Sequence, residues 1–341
     1  MMNRLDQLLA IDADAEIARI GKVIRRQLAQ HLRKRGAVVG LSGGIDSSVT
    51  AALCVEALGP GRVLLLLMPE GDAAASTESL ALGQSFAEAL GAHWVVEDIS
   101  APLAASGCYR RRDAAIRQFW PDYEPHWRFK ILPSDPLAGD RLRSFRLIAE
   151  DGSGRARACR LSAADYQAIV AAMNFKQRTR KMLEYYHADR LNYAVAGTPN
   201  RLEYDQGFFV KNGDGAADFK PIAHLYKTQV YALAERLGIP RVIIDREPTT
   251  DTYSLPQGQD EFYFSLPLKQ MDQCLCALDH GLSAAEVARA TGLAPDVLER
   301  VFRDLTAKRR ATRYGHMPPL LVEAVPSIAA GSTPGQGERH A

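Results

Sequence analysis

The sequence predicts an α/β fold, a doubly wound and mainly parallel sheet that carries a small β-rich insertion. Two observations support this expectation. Short unbroken apolar runs alternate with segments of helical period, which is the pattern of parallel strands covered on both faces. The first such run, Val38-Val39-Gly40, passes through Leu41-Ser42-Gly43-Gly44-Ile45-Asp46-Ser47-Ser48 into a helical segment. In sheets of this kind ligands bind at the C-terminal ends of the strands, where this loop would lie.

Taken in order, residues 14–35 place Ile17, Ile20, Val23, Ile24, Leu28 and Leu32 at helical spacing. Residues 37–41 read as a buried strand and 48–58 as a helix stopped by Gly59-Pro60-Gly61. Residues 63–68 form a second, continuously apolar strand. A helix over 77–90 ends at Gly91, and a third strand covers 93–99. The interval 106–160 breaks the alternation. Within it, 143–150 and 155–161 flank Asp151-Gly152-Ser153-Gly154 and predict a β-hairpin. Residues 106–164 are therefore expected to be an insertion between 1–105 and 165–325. After it come a long helix over 164–186, a fourth strand over 191–196, and a helix over 226–237 ended by Gly238-Ile239-Pro240. Residues 326–341, rich in Gly, Ser and Pro, are expected to form a disordered tail.

Composition narrows the functional classes. The 341 residues are 47% hydrophobic and carry a formal charge of only +2, which speaks against a general electrostatic grip on nucleic acid. The arginines of the insertion, Arg146 and Arg160 among them, read first as a solvated face. Five cysteines without a CxxC pair argue against a zinc site or a disulfide framework. Met1-Met2-Asn3-Arg4-Leu5-Asp6 is not a signal peptide, and the apolar run 63–69 is too short to span a bilayer. A cytoplasmic protein without membrane or nucleic-acid partners is expected.

The glycine loop carries the chemistry. A turn of this kind aims backbone N–H groups and a helix N-terminus at one spot, which suits an anion, and glycine lets the backbone approach closely. An acid inside a phosphate loop would be repelled unless a cation sat between, so Asp46 points to Mg²⁺ as well as phosphate. The loop lacks the Gly-Lys-Ser/Thr ending of a Walker A motif. A bare Gly43-Gly44 pair would indicate only a strand-to-helix turn; the full string Ser42-Gly43-Gly44-Ile45-Asp46-Ser47-Ser48 is more specific. It resembles the pyrophosphate loop of the N-type ATP pyrophosphatases, whose fold is adenine nucleotide α-hydrolase-like. Those enzymes cut ATP between the α- and β-phosphates and use the AMP to activate a carboxylate or similar group.

Four later strings narrow the resemblance. They are Asn174-Phe175-Lys176-Gln177-Arg178-Thr179-Arg180, then Ala196-Gly197-Thr198-Pro199-Asn200-Arg201-Leu202-Glu203. Next is Gly207-Phe208-Phe209-Val210-Lys211-Asn212-Gly213-Asp214-Gly215-Ala216-Ala217-Asp218, and last Pro221-Ile222-Ala223-His224-Leu225-Tyr226-Lys227-Thr228-Gln229-Val230. In this order, with the glycine loop, they resemble the ammonia-dependent NAD synthetases over about residues 15–105 and 165–320. The resemblance implies that Gly40, Leu41, Ser42, Gly43, Gly44, Ile45, Asp46 and Ser47 cradle the phosphates of ATP, the co-substrate. It implies that Asp46 and Glu203 hold Mg²⁺, that Thr198, Lys227 and Thr249 contact ATP, and that Arg178, Lys211 and Asp218 hold the dinucleotide. Asp46, Lys211 and Lys227 would be the catalytic residues.

Each of these has an ordinary alternative. Glu203 read alone is a surface acid, Lys211 a solvated lysine, Asp218 a cap, and Arg178 one of many helix-surface arginines. The chain also departs from the family. Its 106–160 insertion is large, and the family's C-terminal His-Lys pair has no secure match in Lys308-Arg309-Arg310-Ala311-Thr312-Arg313-Tyr314-Gly315-His316-Met317-Pro318. Tyr204-Asp205-Gln206 crowds the metal Glu.

The expected reaction is ATP-dependent amidation of deamido-NAD by ammonia through an acyl-adenylate, releasing AMP and pyrophosphate. The resemblance also implies a homodimer. The chain leaves no room for an amidotransferase domain, and Met2 stands where that domain would need Cys, so free ammonia or a separate glutaminase subunit is expected to supply nitrogen. Rival readings are an enzyme amidating another adenylated carboxylate, a tRNA-modifying relative, which charge and cysteine spacing oppose, and a nucleotide-binding regulator without catalysis.

Overall fold

Short aliphatic strands, too apolar to face water, form the centre of the computed structural model, which describes residues 4–71, 74–133, 144–248, 252–258, 263, 266–323 and 325. Helix α1 covers Arg4–Leu9, and α2 (Ala13–Arg26) runs on as a π-helical turn over Gln27–Leu32. Strand β1 (Ala37–Gly40) leads into α3 (Ile45–Leu58), and β2 (Val63–Leu67) into α4 (Ala74–Ala89). Strand β3 (His93–Val96) precedes α5 (Ser100–Ala105) and α6 (Cys108–Arg117). Strands β4 (Arg128–Pro133), β5 (Phe145–Glu150) and β6 (Ala156–Leu161) follow, and α7 (Ala163–Leu191) returns the chain to β7 (Ala194–Ala196). Beyond it lie α8 (Arg201–Gln206), α9 (Lys227–Arg236), α10 (Arg241–Ile244), α11 (Leu268–Asp279), α12 (Ala284–Thr291) and α13 (Pro295–His316). No described helix is long and apolar enough to cross a membrane. The tail 326–341 lies outside the described residues.

The central sheet has the order β3-β2-β1-β7 with every pairing parallel. Alternate residues of these strands feed two buried layers, as parallel strands covered on both faces require. Val39, Val63 and Leu65 pack with α2, α3 and α9, whereas Val38, Leu64 and Val195 pack against Ala188 and Leu191 of α7. The chain runs from β1 outward through β2 to β3, then places β7 on the other side of β1. The reversal opens a crevice between the loops that follow β1 and β7.

Some boundaries differ from the sequence expectation, each for a local reason. Strand β3 stops at Val96 because the Ser100 amide donates to Asp98 Oδ1 at 2.7 Å, bending the chain into α5. Helix α7 continues past 186 to Leu191, where Asn192 at φ 54° ends it, so β7 starts at Ala194. The interval 106–160 is not β-rich from its start. Helix α6 buries Cys108, Ala115 and Ile116 on one face, and the Cys108 thiol donates to the Ala172 carbonyl of α7 at 3.2 Å.

The hairpin expected over 143–150 and 155–161 is present as β5 and β6. Asp151 Oδ1 accepts from the amides of Ser153 and Arg155 at 2.9 and 3.0 Å, and Gly154 takes φ 82°. Strand β4 pairs antiparallel with the other side of β5. This second sheet has its own core, in which Phe129, Ile131 and Leu147 meet Trp127 and Tyr253. The outer edge of β4 is occupied: the Leu255 amide donates to the Phe129 carbonyl at 3.1 Å, and Gln257 Nε2 to the Ile131 carbonyl at 2.9 Å.

Helix α9 is held at its first residues by an acid from a distant element. Asp272 of α11, 0% exposed, accepts from the amides of Lys227 and Thr228 at 3.1 and 2.7 Å. It thereby satisfies donors that a helix start cannot satisfy itself. Burial pushes its carboxyl up to about 6, against the two amides and Lys227, which lower it. Asp272→Asn turns an N–H donor toward those amides and is expected to cost about 1–3 kcal/mol, the penalty of an unmet buried polar group, measured by urea unfolding at pH 7.

Candidate active site

The loop between β1 and α3 is shaped by its own hydroxyls. Ser47 Oγ donates to the Gly44 carbonyl at 2.9 Å and accepts from the Ser42 amide at 3.2 Å, and Ser48 Oγ donates to the same carbonyl at 2.9 Å. Gly43 sits at φ 75°, and a β-carbon there would lie 2.9 Å from the Ser79 carbonyl of α4, so both backbone and space require glycine. Leu41 extends the sheet by donating to the Leu66 carbonyl at 2.8 Å, and buried Ile45 pins the start of α3 to the core. The first amides of α3 are thus left facing the crevice without partners inside the helix.

The loop after β7 closes over this one. Gly197 and half-buried Thr198 lead to Asn200, which caps α8. The Glu203 amide donates to Asn200 Oδ1, and the Asn200 amide donates back to Glu203 Oε2, both at 3.1 Å. Asn200 Nδ2 also donates to Asp46 Oδ1 at 3.2 Å. The two expected metal carboxylates are therefore linked through one buried residue, Asn200, whose side-chain amide donates to Asp46 and whose backbone amide donates to Glu203. Lys227, only 2% exposed, opens α9 and forms an ion pair from Nζ to Asp46 Oδ2.

Electrostatics follow from this packing. Burial, and then the adjacent Asp46, push the Glu203 carboxyl up to about 8, with Lys227 opposing. Burial alone would lower Lys227, but the carboxylates of Asp46 and Glu203 outweigh it and hold the ammonium above its ordinary value. Two carboxylates thus share one ammonium and are short of positive charge. Among the described residues no third His, Cys, Asp or Glu joins them. This donor set fits a hard divalent cation whose remaining positions are filled by phosphate oxygens and water.

The residues expected at the dinucleotide fall into two places. Arg178 on α7 donates through Nε to the Lys211 carbonyl at 3.3 Å. Lys211 Nζ donates to the carbonyls of Tyr314 and Met317 at 2.9 and 3.2 Å and lies 3.9 Å from the Tyr314 ring centroid. Lys211 thus holds the end of α13. Asp218 is apart from this pair: its Oδ2 accepts from the Val195 amide at 2.7 Å, and its Oδ1 from the Tyr185 hydroxyl at 3.3 Å, on the side of β7 where Phe219 bridges to Ala196. Thr249 lies outside the described residues.

Several neighbours were not singled out by the sequence. Asn200 had a readable signal, an N-cap followed three residues later by Glu. Asp272 had none, since its role exists only once α11 packs on α9. His316 packs edge-on against Tyr204 and Phe209, with ring centroids 4.6 and 5.0 Å apart, and Lys220 lies 4.6 Å above Tyr204. Burial, then the Lys181 cation, lower Lys220 to about 8.

Removing the shared ammonium tests this arrangement. Lys227→Met leaves the carboxylates uncompensated and is expected to cost about 3–5 kcal/mol at pH 8. The cost should shrink toward pH 5. Glu203, whose folded value lies above its ordinary 4.5, keeps its proton there, and stability that depends on this proton is lost as pH rises from about 4.5 through 8. Denaturant unfolding at both pH values measures the difference.

Comparison with known proteins agrees with the geometry. The family model described as NAD synthase matches residues 16–118 and 153–313, passing over 119–152, which contain β4 and β5. The NH(3)-dependent NAD(+) synthetase of Rhizobium meliloti (strain 1021) is 58% identical over 320 residues, covering 94% of this chain and 95% of that protein. Its counterpart in Rhizobium rhizogenes (strain K84) is 56% identical over 317 residues, covering 93% and 95%. Among solved structures, the NH3-dependent NAD synthetase from Campylobacter jejuni aligns with a TM-score of 0.59 at 22% identity over 92% of this chain and 100% of that one. NMN synthetase from Francisella tularensis aligns at 0.62 and 20% identity over 92% and 99%. These structural likenesses speak for the fold alone. Matched in both halves of its central sheet, and more than half identical to curated members along nearly its whole length, the chain belongs to the NAD synthase family.

Proposed function

We propose that this protein makes NAD by ATP-dependent amidation of deamido-NAD with ammonia, releasing AMP and pyrophosphate. The observation that carries this reading is the meeting of Asp46, Glu203 and Lys227 at the glycine loop between β1 and α3. Relatives named NH(3)-dependent NAD(+) synthetase support it.

In the first step a nicotinate carboxylate oxygen bonds to the α-phosphorus of ATP. The bond from that phosphorus to the bridging oxygen breaks, and its electron pair leaves with pyrophosphate. Residues 40–47 and Thr198 hold the nucleotide, and Lys227 offsets the charge that collects on the leaving group. Asp46 and Glu203 would hold Mg²⁺, which when bound neutralises phosphate charge. In the second step the ammonia nitrogen bonds to the acyl carbon, the carbon–oxygen bond to AMP breaks, and the nitrogen sheds a proton. Positioning carries most of the rate, and no nucleophilic side chain is called for.

Arg178, Lys211 and Asp218 are assigned to the dinucleotide, and Lys211 would exchange its present carbonyl partners for substrate oxygens. Thr249 keeps its assignment to ATP by resemblance alone. We divide the chain into a catalytic body, 1–105 and 165–325, and an insertion, 106–164; the second, antiparallel sheet, distinct from the central one, supports this division. Five free cysteines are in keeping with a cytoplasmic location. A homodimer is assigned through α7, where Met182 and Tyr186, one turn apart, are 58% and 59% exposed.

Incubation with ATP, Mg²⁺, ammonium and deamido-NAD should yield NAD and pyrophosphate in equal amounts, and glutamine should not replace ammonium. Asp46→Asn should lower turnover by at least ~10²-fold, the scale of losing one strong electrostatic stabiliser. Near-normal pyrophosphate release from this folded variant would refute the assignment of Asp46. Converting both Met182 and Tyr186 to Glu should give monomers in sedimentation velocity, while a dimer that survives both charges would place the interface elsewhere.

A further inference from the structure

We infer that Arg246 is a second cation of the phosphate loop and contacts the pyrophosphate portion of ATP; this rests on the function proposed above. Arg246 stands two residues beyond α10 and is half-buried. Its Nη2 donates to Ser79 Oγ of α4 at 2.9 Å. Its Nη1 lies 3.5 Å from the point that a β-carbon on Gly43 would occupy. The guanidinium therefore rests against the one loop residue held in the left-handed region, on a side not reached by Lys227, whose ammonium is on Asp46.

The charge of Arg246 is unanswered. Among the described residues no carboxylate pairs with it, and its bond to Ser79 uses one of five N–H groups. Several other partly buried arginines have acids: Arg112 has Asp113, Arg201 has Asp279, and Arg309 has Asp205 and Asp279. A guanidinium that gives up hydration without a counter-ion is unfavourable unless an anion arrives. The loop beside it is built for one, and the planar fork matches two phosphate oxygens. Lys227 does not duplicate this contact, because its ammonium lies on the Asp46 side of the loop. When the bond at the α-phosphorus breaks, the electron pair leaves on pyrophosphate, and Arg246 lies where that charge accumulates.

The test uses the full chain and two products as probes. Calorimetric titration with inorganic pyrophosphate plus Mg²⁺, and separately with AMP, compares wild type with Arg246→Met and Arg246→Lys. Arg246→Met should weaken pyrophosphate binding about tenfold or more, as for loss of a charge-assisted contact, and raise the KM for ATP by a similar factor, while AMP affinity stays within about twofold. Arg246→Lys should recover part of the loss. Unchanged pyrophosphate affinity, or equal loss of pyrophosphate and AMP, would overturn the inference. If Arg246→Met does not fold, Ser79→Ala frees the guanidinium from its anchor and should weaken pyrophosphate severalfold; an unchanged value there would overturn it equally. Neither titration requires an acid substrate. A wild type that binds pyrophosphate through Arg246 yet leaves deamido-NAD unreacted would therefore refute the proposed function and leave this inference standing.

Discussion

A single buried ammonium holds the centre of this molecule together. Lys227 compensates Asp46 from one side of the crevice, while Asn200 ties Asp46 to Glu203 from the other. Without that ammonium, two carboxylates would face each other in a site of low dielectric, where the cost of uncompensated charge is several kcal/mol. The arrangement needs three chain segments, after β1, after β7 and at the start of α9, to arrive at one point. The strand order β3-β2-β1-β7 brings the first two together, since the loops that diverge from β1 and β7 border the same crevice.

The third segment depends on support from outside the sheet. Asp272 holds the first amides of α9 and so fixes where Lys227 points. Its helix, α11, is in turn tied to α8 and α13. Arg309 of α13 binds Asp205 and Asp279, and Arg201 of α8 binds Asp279 as well. Glu203 lies on the same short helix as Arg201 and Asp205. The C-terminal helices therefore act on Glu203 through α8 as well as on Lys227 through α9. A six-residue helix such as α8 is too short to be stable alone, so its orientation comes from this network and from its cap.

The second sheet fastens a stretch of chain that follows α10. Its first strand, β4, takes Leu255 and Gln257 on its outer edge, and Tyr253 enters its core beside Phe129. Lys176 of α7, paired with Glu70 at 2.8 Å, donates to the Thr252 carbonyl at 3.2 Å. The stretch from 252 to 257 is thereby fastened to the second sheet and to the end of β2. An exposed edge strand invites unwanted pairing, and this contact covers it.

What the amino-acid sequence determined by itself was local. Apolar runs at 37–41 and 63–68 declared buried parallel strands, because their residues must be covered on both faces. The string from Ser42 to Ser48 declared its turn and its anion preference through glycine, hydroxyl and helix-start chemistry carried within a few residues. The hairpin at Asp151–Arg155 was legible for the same reason. Strand and helix ends were less so: Asp98 and Asn192 set them through single bonds and one left-handed residue that no periodicity records. The partners of each site residue were decided by tertiary structure. Lys227 finds Asp46 across 181 positions, and Lys211 finds the end of α13 across more than 100. Asp218, expected at the dinucleotide, also answers the Val195 amide. Such pairings depend on which segments the sheet order and the C-terminal helices bring within a few ångströms, and that distance is a property of the assembled fold, not of spacing along the chain.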